Sequence, residues 1–190
     1  MGTTRGRRRA VLVVTWPAVR LFLSVAAAYS LTAVLGLTLA TPPGYATLVW
    51  LPAGIALGCA YVFGPAVLPG VLLGSYMANV WVSTVPEREL VLLGGLAPAV
   101  GASVQAYVGA AMMRRWMVGR WRLAKFALVA VSSSAINGVW APTTLFMLGL
   151  MPAAVLQRNV LTWWVGDALG ALAIAPLVIF LAKGPNERER

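Results

Sequence analysis

From Asn159 to Ala182 a single ionisable side chain, Asp167, interrupts a run of about two dozen residues, long enough to cross a bilayer as one helix. A carboxyl at such depth is costly, so it turns toward a protein interior or a watery cavity and becomes a candidate functional group. The neighbours Trp163, Trp164, Gly166 and Gly170 make this stretch the most distinctive in the chain. What kind of molecule can hold it follows from the remaining residues.

The chain is 60% hydrophobic and only 11% charged, with a mean hydropathy of +0.82. Soluble domains are nearer half apolar and a quarter charged, so this much apolar surface calls for a lipid surround. The reading is an all-α, polytopic membrane bundle with one domain. The net charge of +10 is not a nucleic-acid footprint, because the basic residues sit between apolar runs. There they face anionic headgroups and set orientation. With no histidine and one cysteine, Cys59, no disulfide can close and the usual zinc and haem ligands are missing, so no cofactor or metal is expected. Cys59 reads as a small buried hydrophobe.

Six apolar segments are predicted: about 21–40, 46–63, 66–83, 90–113, 126–150 and 159–182. The basic stretch 1–20 precedes them and a charged tail, 183–190, follows. The amino terminus resembles a signal peptide, but the run to Ala40 is too long for one and reads as an uncleaved first span. Thr41–Tyr45, Gly64-Pro65 and Thr84–Glu89 read as turns, and Arg114–Lys125 as a basic loop. Threading six spans from a cytoplasmic amino terminus places all but Arg88 and Arg158 of the 15 basic residues on the cytoplasmic side. That asymmetry puts both termini inside, in the inner membrane of a bacterium.

Glycines four apart (Gly54 with Gly58, Gly70 with Gly74, Gly166 with Gly170) read as close-packing faces, which also allow self-association. Pro52, Pro69, Pro98, Pro142 and Pro176 fall in or near spans, where each removes a backbone donor and can kink a helix. No internal repeat is visible, which speaks against an inverted-repeat transporter.

This topology places Trp50, Asn79, Asn137, Trp163, Trp164 and Asp167 at a shared depth in the outer half, Asp167 about 12 Å below Asn159. They would line a pocket open to the outside. Each has a plainer reading. Trp81 and Trp140 fit an interfacial aromatic belt. Asn79 and Asn137 fit hydrogen bonds between helices, as does Gln105. Ser132 to Ser134 can bond their own helix. Asp167 has no basic residue at its depth, so it is protonated, accepts bonds from indole, amide and hydroxyl donors, holds a cation, or serves helix packing alone.

The segments Trp50-Leu-Pro-Ala-Gly-Ile-Ala-Leu-Gly58, Leu68-Pro-Gly-Val-Leu-Leu-Gly74 with Asn79, and Trp163-Trp-Val-Gly-Asp-Ala-Leu-Gly170 with Ala175-Pro-Leu177 resemble the bacterial membrane-associated sensor domain of the first type in the MASE series. Gly101-Ala-Ser-Val-Gln105 and Ser134-Ala-Ile-Asn-Gly138 are similar too. The resemblance implies an integral-membrane input module that feeds cytoplasmic histidine kinases or enzymes of cyclic di-GMP metabolism. Carried over by position, it marks Trp50, Pro52, Gly54, Asn79, Trp163, Trp164, Gly166 and Asp167. Members of that family are often longer, and only Lys183–Arg190 follow the last span here. The expectation is therefore an isolated domain or one that signals through a partner.

Three functions compete: a sensory module with a ligand at Asp167, a small-solute or ion transporter, and a structural subunit of another membrane protein. An enzyme is not expected, because Glu87 and Glu89 in a short loop offer no acid–base pair with Asp167. The arginines around Trp116 and Trp121 read as an anchor to anionic lipid or a dock for a cytoplasmic partner.

Overall fold

The computed structural model describes residues 16–38, 47–83, 87–120 and 122–182. The basic amino terminus, the Thr41–Tyr45 turn, Trp121 and the charged tail lie outside them. The described residues are helical, with no strand: α1 Trp16–Thr38, α2 Leu51–Phe63, a 3-10 turn Gly64–Val67, α3 Leu68–Val82, α4 Arg88–Trp116, α5 Arg122–Met147 and α6 Ala153–Ala182. Five stretches are long and apolar enough to cross a membrane, Leu51–Val82 counting as one. The chain is a multi-pass membrane protein.

That combined stretch is where the expected second and third spans take an unexpected form. Gly64 breaks it, at φ 76°, a left-handed conformation that a side chain would resist, and Pro65 follows. The helices on either side have only 13 and 15 residues. They run in opposite senses. Gly54 and Gly58 of α2 lie against Gly170 and Val178, so α2 descends parallel to α6. Gly70 and Gly74 of α3 lie against Phe22 and Ala26, so α3 returns parallel to α1. The two scarcely touch, since α4 and α1 pack against both.

Around the bundle the order is α1, α3, α4, α5, α6, α2, closing again on α1. Lipid supplies no hydrophobic drive for helix association, so contact depends on close backbone approach and polar bonds. A glycine stands at five of these junctions: Gly74 beneath Tyr29, Gly95 against Val80, Gly109 against Ser133, Gly138 against the Trp164 backbone, and Gly54 against the Gly170 carbonyl. Hydrogen bonds reinforce them: Ser30 Oγ donates to the Gly74 carbonyl at 3.1 Å, and the Trp140 indole to the Ala97 carbonyl at 2.9 Å.

The proline expectation divides. Pro98, Pro142 and Pro176 are inside helices. Pro52 and Pro69 instead occupy first turns, where a missing N–H costs nothing. Pro52 matters most, because α2 begins in the middle of the bundle. The Trp50 N–H donates to the Gly166 carbonyl at 2.9 Å and the Ala53 N–H to the Trp50 carbonyl at 3.1 Å. With a proline between them, a helix start away from water leaves fewer donors to satisfy.

Gly170→Val is expected to destabilise the bundle by about 1–3 kcal/mol, since any Cβ there meets the Trp50 carbonyl oxygen. Thermal unfolding in detergent reads this as a clear drop in midpoint, against little change for Leu169→Val on the half-exposed neighbouring face.

Candidate functional site

Because α2 starts at Trp50, one half of the bundle has six helices and the other lacks α2. In that second half lies a cavity of about 150 Å³ between α1, α3, α4, α5 and α6. Its walls are mostly apolar: Leu37, Val82, Leu90, Val91, Leu145, Leu150 and Met151. Pro98 of α4 lines it as well, so the Gly94 carbonyl one turn earlier has no proline N–H to accept from.

Polar groups concentrate at its deep end. Asp167 is 3% exposed and lies midway along α6. The sixth helix starts at Ala153, not near Asn159, so Asp167 is about 21 Å from its beginning. Asn137 of α5 donates from Nδ2 to Asp167 Oδ2 at 3.3 Å, and Gln105 of α4 is buried nearby. The Tyr29 phenol is fully buried and lines the same cavity with Ser75 and Trp50. Among the described residues no lysine or arginine lines the cavity.

The backbone explains this convergence. Gly166 faces the Thr47 carbonyl and Gly170 the Trp50 carbonyl, so the 47–50 segment rests on α6 one residue from the acid. Gly101 of α4 leaves room for the Asn137 side chain, whose Oδ1 lies against it. Glycines thus admit on one side the chain that carries Trp50 and on the other the amide that holds Asp167.

The sequence-predicted residues separate accordingly. Asp167, Asn137, Trp50, Asn79 and Trp163 all line the cavity, as does Gly166. Asn79 is the weakest of these, because its amide donates to the Ser75 carbonyl of its own helix at 2.8 Å. Trp163 presents a buried indole N–H with no partner. Trp164 does not line the cavity; its indole donates to the Val131 carbonyl at 2.7 Å and ties α6 to α5. Pro52, Gly54 and Gly170 shape the crossing of α2 over α6. Trp81 is 79% exposed and does not line the cavity. Tyr29 and Ser75 are the additions that sequence reasoning missed. Both stand in otherwise apolar helices, and only a search for isolated hydroxyls at matching depth could have raised them.

Chemically the site offers one acid, several amides and hydroxyls, and no second acid or nucleophile–base pair. No group of metal-ligating His, Cys, Asp or Glu residues occurs among the described residues. The arrangement suits binding.

A family model described as MASE1 matches residues 19–190, all but the first three residues of α1 and every other helix. No curated protein and no solved structure matches.

Asn137→Ala is expected to lower stability by about 1–3 kcal/mol, because it strips a buried carboxyl of a donor. Asn79→Ala, which loses only a bond within its own helix, is expected to change it by less than about 1 kcal/mol. Unfolding midpoints of the two purified variants check the contrast.

Proposed function

This chain belongs to the MASE1 family of membrane-associated sensor domains, and on that footing we propose that it is a sensory input module whose stimulus is a small ligand bound at Asp167. The observation that carries the reading is a cavity whose deep end holds a buried carboxyl, with the unpartnered Trp163 N–H beside it. A concave, largely apolar space with a few convergent polar groups is the common form of a small-molecule site. Its size suits a ligand about as large as benzene.

The cavity opens at the end opposite the arginine-rich one. Under the positive-inside reading that end faces the outside of a bacterial inner membrane, and the input is extracytoplasmic. Two helices lead from the site to the basic end. From Asp167, α6 continues to Ala182. From Trp50, α2 runs to Ala60 and Tyr61, whose carbonyls take the Arg114 guanidinium of α4, the first at 2.9 Å. A ligand that binds one α2–α6 arrangement better than another would shift that pair, and the basic end would report it. The output is a histidine kinase, a cyclic di-GMP enzyme or another cytoplasmic partner engaged there.

Transport has less support. Beyond the acid the bundle interior is filled by Leu57, Ala106, Ala110, Met113, Phe126 and Val129, all buried. A purely structural subunit would have no use for the Asp167 cavity.

A panel of small organic ligands, screened by thermal shift in detergent at constant salt, is expected to yield compounds that stabilise wild type and lose their effect in Asp167→Asn and Trp163→Phe. Equal responses in all three proteins refute the site. Orientation is checked in intact cells in a Cys59→Ser background: an impermeant maleimide labels Glu87→Cys directly and Arg120→Cys only after permeabilisation.

A further inference from the structure

Three buried oxygens on α4 and α5 have no hydrogen-bond partner: Gln105 Oε1, Asn137 Oδ1 and Ser134 Oγ. Their residues are 6%, 4% and 0% exposed, as buried as Asp167 itself. Buried polar atoms are almost always paired, so three orphans around one carboxyl call for an explanation. They are neighbours by construction. Asn137 spends its amide nitrogen on Asp167, which leaves its oxygen over, and Gln105 lies nearby on α4. Ser134 lies one turn from Asn137 on the same face of α5. Ser133 beside it packs on Gly109, one turn beyond Gln105, so α4 and α5 bring the hydroxyl to the same level.

Two facts narrow what these oxygens await. Every donor atom is oxygen, and oxygen-only sets suit hard cations rather than the metals that favour imidazole or thiolate. The charge is a single carboxylate, with no lysine or arginine among the residues lining the cavity. A water molecule would satisfy the acceptors but would leave an ionised Asp167 without a counter-charge. We propose that Asp167, Asn137, Gln105 and Ser134 bind a hard monovalent cation, sodium-like, that enters through the cavity.

The inference rests on the proposed site only in needing Asp167 to be reachable from the cavity. The cation would be a resident co-ligand that holds α4, α5 and α6 together at mid-depth and completes the floor for a larger ligand. Trp163 N–H, a donor on the wall above, takes no part in it and stays free for that ligand's acceptor.

The test is thermal unfolding of the purified full chain in detergent, with sodium chloride exchanged for choline chloride at constant ionic strength. The midpoint is expected to climb with the logarithm of sodium concentration above the dissociation constant, and to stay flat in choline. Asp167→Asn is expected to abolish the sodium response, and Gln105→Ala and Ser134→Ala to shift it to higher concentration. Coincident sodium and choline curves for wild type overturn the proposal, as does a full sodium response in Asp167→Asn. Should Asp167→Asn fail to fold, sodium-23 linewidths on wild type decide. Broadening beyond that of empty micelles, reversed by lithium and not by choline, supports the site, and its absence overturns it. Because the organic panel is run at fixed salt, a missing sodium effect leaves the ligand reading standing, and a missing ligand effect leaves the cation standing.

Discussion

Along one face of α6 the side chains at Gly166 and Gly170 are missing, and the Thr47–Trp50 backbone lies directly on the helix there. In an apolar medium a chain can stop and restart a helix only if its N–H and C=O groups find partners, since each orphan costs several kcal/mol. The Gly166 carbonyl takes the Trp50 N–H, and Pro52 has no N–H to offer. These two details let α2 begin at mid-depth. From that short helix follow the missing wall of the bundle, the cavity it leaves, and the placing of Asp167 at the cavity's deep end.

Satisfied and unsatisfied polar atoms are distributed unevenly through the bundle. Away from the centre, several buried or half-buried donors have a plain structural task. Ser30 ties α1 to α3, Trp140 ties α5 to α4, Trp164 ties α6 to α5, and Arg114 caps α2. The groups without partners collect near Asp167: Gln105, Ser134, Asn137 and Trp163. A half-satisfied polar cluster is costlier than an apolar core, so these positions are not explained by packing energy.

Parts of the site were legible from one dimension because lipid is so restrictive a solvent. A carboxyl in an apolar helix announces itself at Asp167, and amides and indoles at matching depth narrow the search to Asn79, Asn137, Trp50 and Trp163. The start of the sixth helix was not legible: it was expected near Asn159, and α6 continues back to Ala153. Trp163 and Trp164 were inseparable by sequence. A step of one residue turns a helical side chain by about 100°, so one indole faces the cavity and the other α5.

Composition and charge by themselves determined the class of molecule: helices, multiple crossings, glycine contacts and an inward acid. Each of these follows from transfer free energies that act residue by residue. The halved second span, the first-turn role of Pro52, and the company of Tyr29, Ser75 and Gln105 around Asp167 were decided only in three dimensions. They depend on which helix lies beside which, at what register. Between apolar surfaces that register is set by the few places where a glycine lets two backbones touch.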